Sequence, residues 1–152
     1  MSMLPLVLVV LATAFSLMSL GGGIYEFLVV DASWPRRPDL IQPQRGGISR
    51  KRFWIPMHTA FEFLLIASVM AAWTESAVRA PLLVALVSHA VMRLWSAFDI
   101  IPKALAFERA DPTTIAEETA RRWTRRSMAR LPLDLLTCGA MLTALITAAG
   151  LA

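Results

Sequence analysis

The chain has 152 residues, 57% apolar and only 17% charged, with 15 Lys and Arg against 11 Asp and Glu for a formal net charge of +4. An ordinary soluble domain is about 45–50% apolar and about a quarter charged. Here the charges are bunched between long uncharged runs, so they cannot clothe a water-soluble surface. The basic excess is that of loops flanking membrane spans, which speaks against a nucleic-acid partner.

A hydrocarbon core about 30 Å thick takes about 20 residues of helix. Four segments meet that length, at residues 3–30, 53–73, 80–101 and 131–151. They predict one all-α transmembrane domain over residues 1–152, an integral membrane four-helix bundle with long loops at 31–52 and 102–130. The first segment carries no charge before Glu26. Its start lacks the Lys or Arg of a signal peptide, and no small-x-small cleavage site comes after it, so a retained helix is expected. In the first loop Pro35, Pro38, Pro43 and the pair Gly46-Gly47 predict irregular backbone folded back against the bundle.

The second segment is interrupted by His58 and Glu62, the third by His89, Arg93 and Asp99. In the second loop Asp111-Pro112-Thr113 reads as a helix start. Glu117 and Glu118 come near the first turn, and Arg121, Arg122, Arg125, Arg126 and Arg130 toward the other end, as the helix dipole favours. With the stripe Ile115, Thr119, Trp123 and Met128, this predicts an amphipathic cytoplasmic helix at residues 114–130 on the membrane surface. Pro132 then kinks that helix or sits in the first turn of the last span. Cys138, the single cysteine, reads as a small apolar residue.

Basic residues set the orientation. The first loop holds Arg36, Arg37, Arg45, Arg50, Lys51 and Arg52, and the second holds Lys103, Arg109 and the arginines of its helix. The short connection 74–79 has only Arg79. The positive-inside rule puts both long loops in the cytoplasm and both termini outside, as in a bacterial inner membrane.

Ionisable residues inside spans cost at least about 2.5–3.5 kcal/mol each on insertion scales, so they face a bundle interior or a cavity. His58 and Glu62 are four apart on one face, as are His89 and Arg93, with Ser96 three further on. Counted from Trp73 and Ala80, Glu62 should lie level with His89, and His58 with Arg93. Glu26, Asp99, Arg130 and Asp134 cluster nearer the cytoplasmic face. The same count sets the two histidines about 9 Å apart in depth, which makes one haem held by both awkward.

Three readings compete. Buried ion pairs fix helix packing. Alternatively, Glu62, His89 and His58 are acceptable ligand types for a non-haem metal or haem. The third is a proton-handling pocket for a hydrophobic small molecule. His58 and His89 have the pKa range for acid–base work, Glu62 supports them, and Arg93 stabilises an enolate or phenolate. Trp95 and Phe61, with Phe63 and Phe98, would wall such a pocket, and Ser96 and Tyr25 would contact its ligand. Trp54 and Trp73, at span ends, read as interface anchors.

Several motifs carry a resemblance. The first span ends Gly23-Ile24-Tyr25-Glu26, with Val29-Val30 and Trp34-Pro35 after it. The second opens Phe53-Trp54-Ile55-Pro56 with His58 next, and Arg122-Trp123, Ser127 and Arg130 precede the last. Over nearly its whole length the chain resembles the anthrone oxygenase-like family of small four-helix membrane proteins. The family pattern has Asn where Ser127 stands. The resemblance implies an oxygenase that acts without a bound cofactor on an aromatic or quinone-like, membrane-soluble substrate. A base removes an acidic C–H proton and the carbanion reacts with oxygen. A non-catalytic subunit of a larger membrane complex, or a homo-oligomer embedded in lipid, is the reading from another class.

Overall fold

In the computed structural model, which describes residues 3–150, every regular element is helical. Four helices among the described residues are long and apolar enough to cross a membrane. Helix α1, Met3–Tyr25, has 23 residues, α2, Lys51–Ala71, has 21, and α3, Ser76–Trp95, has 20. Two shorter helices come next, α4 at Ile101–Arg109 and α5 at Glu117–Met128. The chain then crosses back as α6, Leu131–Ala148, with 18 residues. The expected end of the last span at residue 151 lies outside the described residues.

Helices α2 and α3 start earlier than their apolar runs, at Lys51 and Ser76. A backbone in lipid must satisfy its own hydrogen bonds, so a helix runs on through polar end residues that hydropathy does not see. Pro132 takes the second of its two expected roles, in the first turn of α6.

The long loops share one end of the bundle, and the tight turn Ala72–Glu75 closes the other. Packing runs α2 to α1 to α6 to α3, with α3 against α6 the tightest pair. Although joined by the shortest connection, α2 and α3 are the poorest-packed neighbours among the four spans. At the turn end Val9, Ala12, Leu65, Leu82, Ala85, Met141 and Ala144 form the core. The alanines let backbones approach closely, which is how helices associate where lipid is as apolar as Leu. Hydroxyls are spent locally or across that seam. Thr13 donates to Val9 O at 2.7 Å, and Ser88 on α3 donates to Leu133 O on α6 at 2.9 Å. Cys138 is buried and donates its thiol to Ser16 O. Large apolar side chains such as Leu4, Leu11, Ile66, Val87 and Ile146 face outward, as a lipid-facing belt requires.

The loop end is built differently. Helix α1 runs on through a π-helical turn, Glu26–Val30, and α3 through another, Ser96–Ile100. Each turn closes by an N–H five residues on, Asp31 to Glu26 O and Ile101 to Ser96 O. For the second turn the cause is Pro102, which has no N–H to give and whose ring crowds the carbonyl of Phe98. Each π turn adds a residue and so rotates the next stretch of helix about its axis.

The first loop is more regular than its composition suggests. Three 3₁₀ turns, Trp34–Arg36, Pro38–Ile41 and Pro43–Arg45, fold it back on the bundle. Trp34, fully buried, meets Phe107 and Trp123 with ring centroids 5.2 and 5.7 Å away. Gln42, also fully buried, donates to Phe107 O at 2.8 Å and Ala110 O at 2.9 Å, and so caps the end of α4. Gly46 has φ +84°, a left-handed conformation suited to glycine. A side chain at Gly47 would collide with the Asp39 carbonyl. Helix α5 is shorter than the expected 114–130 and is preceded by a separate turn, Pro112–Thr114. It buries Ala120, Trp123 and Thr124 against this aromatic core, while Thr119 of the expected stripe is exposed.

Candidate functional site

Between the transmembrane core and the aromatic core lies a cavity of about 360 Å³. That is within the range of small-molecule sites, and its lining is mainly apolar. Both π turns contribute to its wall, through Glu26 and Ser96.

Arg50, the N-cap of α2, and Trp54 and His58 on that helix recur at intervals of four, one side chain per turn along one face. All three line the cavity. Trp54 stacks on His58, with centroids 5.2 Å apart and planes 18° from parallel, and it donates its indole N–H to Glu26. Trp54 is therefore turned inward, and the expectation of an interface anchor is corrected. The carboxylate of Glu26 offers an acceptor that the bilayer interface would not fix in place. Trp73 is exposed at the turn end, with the Arg79 guanidinium over its ring.

The rungs come out rearranged. Glu62 Oε1 accepts from Arg93 Nε at 2.6 Å and lies 3.5 Å from His89 Nε2, which stays without a hydrogen bond. Helical Cβ atoms lean toward their helix N-terminus. Glu62 on α2 thus leans toward the loop end and Arg93 on antiparallel α3 toward the turn end, so the two meet. Arg93 is not within bonding reach of Asp99, which instead binds Lys103, Arg126 and the Trp95 N–H, away from the cavity lining. The expected pairing of His58 with Arg93 is not formed.

The histidines are closer than expected, their ring centroids 5.7 Å apart. His58 lies 13 residues before the end of α2 at Ala71, and His89 lies 13 residues after the start of α3 at Ser76. Counting from the true helix ends puts them level. Between them is a void of about 10 Å³, lined also by Ser19 and Asp134. It has room for about one water, none for a macrocycle. Ser19 Oγ, His58 Nδ1 and His89 Nε2 have no protein partner there. Among the described residues, no three His, Cys, Asp or Glu side chains are grouped to hold a metal ion.

Of the other candidates, Arg93 and Ser96 line the cavity, while His89 and Glu62 stand behind it. Phe61 is buried with its edge on the His89 ring at 4.8 Å. Tyr25 is exposed, and Trp95 turns to Asp99 and the aromatic core, so neither contributes to the cavity wall. Phe63 and Phe98, 71% and 83% exposed, face outward.

Four further residues belong to the site: Arg50, Trp123, Arg130 and Asp134. Arg130, at the break between α5 and α6, donates to Ser127 O and Oγ and to Ser96 Oγ at 2.5 Å. It makes no ion pair with Asp134 four residues on, because as N-cap of α6 it stands off that helix's face. Arg50 looks like one loop charge among six, yet its four-residue spacing to Trp54 marks it as part of the inward face.

Comparison with family models, with curated proteins and with solved structures returns no match.

Proposed function

We propose that this chain sits in a bacterial inner membrane with its long loops in the cytoplasm, and oxygenates a flat, membrane-soluble aromatic or quinone-like molecule without a resident cofactor. The observation that carries the reading is the Trp54–His58 stack on the wall of a mainly apolar, ligand-sized cavity, with Arg93 on the same wall. The resemblance to anthrone oxygenase-like proteins points the same way. The thirteen basic residues expected at the loop end support the orientation, since Arg36, Arg37 and Arg45 lie on the first loop and Arg109, Arg122 and Arg125 on the second.

In this reading the ring of the substrate lies against Trp54 and His58. His58 takes a proton from an acidic C–H, and the enolate that forms faces the Arg93 guanidinium. Dioxygen accepts the electrons and adds to that carbon, giving a hydroperoxide once His58 returns the proton. Loss of water leaves a carbonyl, so the net change is CH₂ + O₂ to C=O + H₂O. His89, behind His58, and Glu62, on Arg93, hold the two acting groups in place.

The test is oxygen uptake by membranes containing the chain, supplied with an anthrone, with the quinone monitored by absorbance. One oxygen consumed per quinone formed is expected, falling by about 10²-fold or more in His58→Gln. Uptake no faster than in membranes lacking the chain overturns the reading. A Soret band in the purified protein would sink its cofactor-free part.

A further inference from the structure

Two guanidiniums at the loop end of the cavity are incompletely partnered. The Arg50 side chain is only 9% exposed. Its Nη1 lies 3.3 Å from Glu26 Oε1, and its Nη2 is buried with no partner among the described residues. Arg130 is held by Ser96 and Ser127 alone, with no carboxylate at ion-pair distance among the described residues. The neighbouring cations are already matched, Lys51 to Glu108 at 2.7 Å and Arg93 to Glu62 at 2.6 Å.

The two guanidiniums rest on adjacent turns of one helix. Arg50 lies over the Trp123 ring at 5.1 Å, and Arg130 is anchored on Ser127, one turn further along α5. One helical pitch, about 5.4 Å, therefore separates their supports. Charge-assisted bonds from guanidinium to a carboxylate are the strong ones. Of the acids that also line the cavity, Glu26 is engaged by Trp54 and Arg50, Asp31 accepts from Trp34, and Asp134 faces the small void behind His58 as well and makes no ion pair with Arg130.

We propose that this wall is an anion site, built from Arg50 and Arg130, that takes the carboxylate of a flat aromatic acid whose ring lies on Trp54 and His58. The inference rests on the cavity being the ligand site proposed above and names the class of ligand it takes. Arg50 is one turn from Trp54 on α2, so a ring on Trp54 directs its acid toward the two arginines. A buried guanidinium nitrogen left without an acceptor is costly, and the ligand's carboxylate is what satisfies Arg50 Nη2.

Binding to the full chain in detergent micelles tests this, with 2-naphthoate and its neutral isostere 2-naphthamide as probes. The acid is expected to bind at least about tenfold tighter than the amide. Arg50→Gln and Arg130→Gln should each remove most of that preference by weakening the acid far more than the amide. Should either variant fail to fold, the wild-type comparison still decides. Equal binding of acid and amide, or saturable binding of neither, overturns the proposal. So does tighter binding of dihexanoyl phosphatidylglycerol than of 2-naphthoate, which would give the site to a lipid headgroup. His58→Gln separates the two proposals. It should keep the preference for the acid even if oxygen uptake is never seen, whereas uptake with no preference for the acid leaves the oxygenase reading standing alone.

Discussion

At the turn end, Val9, Ala12, Leu82, Ala85 and Ala144 close on one another, and the hydroxyls of Thr13 and Ser68 nearby are spent on backbone carbonyls. At the loop end the same four helices widen by two π turns, and charges replace alanines at the interior positions. The first half is tight because nothing in it needs water or a partner. In the second half, unbonded polar atoms at Arg50, His58 and His89 surround open volume. Buried groups of that kind are expensive, and their position beside a cavity is what the proposed ligand site rests on. The aromatic core of Trp34, Phe107 and Trp123 then acts as a floor that holds the loops over the opening.

This contrast can be broken from either side. Leu82→Ala, in the turn-end core, should cost about 2–5 kcal/mol, read as a lower midpoint of unfolding in micelles, while affinity for 2-naphthoate stays unchanged. A parallel loss of affinity would show that the halves are not separable. Gln42→Ala should cost less, about 1–3 kcal/mol, by leaving the Phe107 and Ala110 carbonyls without their donor. Here the affinity should fall as well, since the loop over the cavity loosens. Faster proteolysis within the first loop would report the same event. The smallest effect concerns the Glu62–Arg93 pair, whose side chains are 40% and 36% exposed. Glu62→Gln can still accept from Arg93 and loses only the charge, a difference of about 1 kcal/mol. The double variant with Arg93→Met should be less destabilised than the sum of the two singles. Additive losses would mean that the pair does not couple α2 to α3.

Much of the transmembrane half was legible in the sequence, because hydrophobic length and four-residue spacing are properties of one helix at a time. His58 with Glu62, and His89 with Arg93, come from that spacing directly. Which rung each residue joins was not legible. It depends on where the turn between α2 and α3 begins, and a shift of two residues at Ala71 and four at Ser76 brings the histidines level. The inward turn of Trp54 was hidden for another reason. A tryptophan at a span end is equally at home at the bilayer interface, and only the Glu26 carboxylate, delivered by a different helix, turns it inward. Arg50 was hidden among other basic residues, since charge counting reads sidedness and is blind to which arginine is buried, whereas Arg130 was picked out beside Asp134 but its bonds to Ser96 and Ser127 were not. Tyr25 and Trp95 stand beside the π turns, where register is lost.

Photo-crosslinking in native membranes tests the central claim most directly, using a diazirine derivative of 2-naphthoate and mapping the labelled residues by mass spectrometry. The labels should fall on the stretches around Trp54–Thr59 and Arg93–Ser96. Excess 2-naphthoate should suppress them, as should Thr59→Trp, which fills the cavity. Labelling spread over the outward faces at Phe63 and Phe98, indifferent to competitor and to Thr59→Trp, would contradict a ligand site at the loop end.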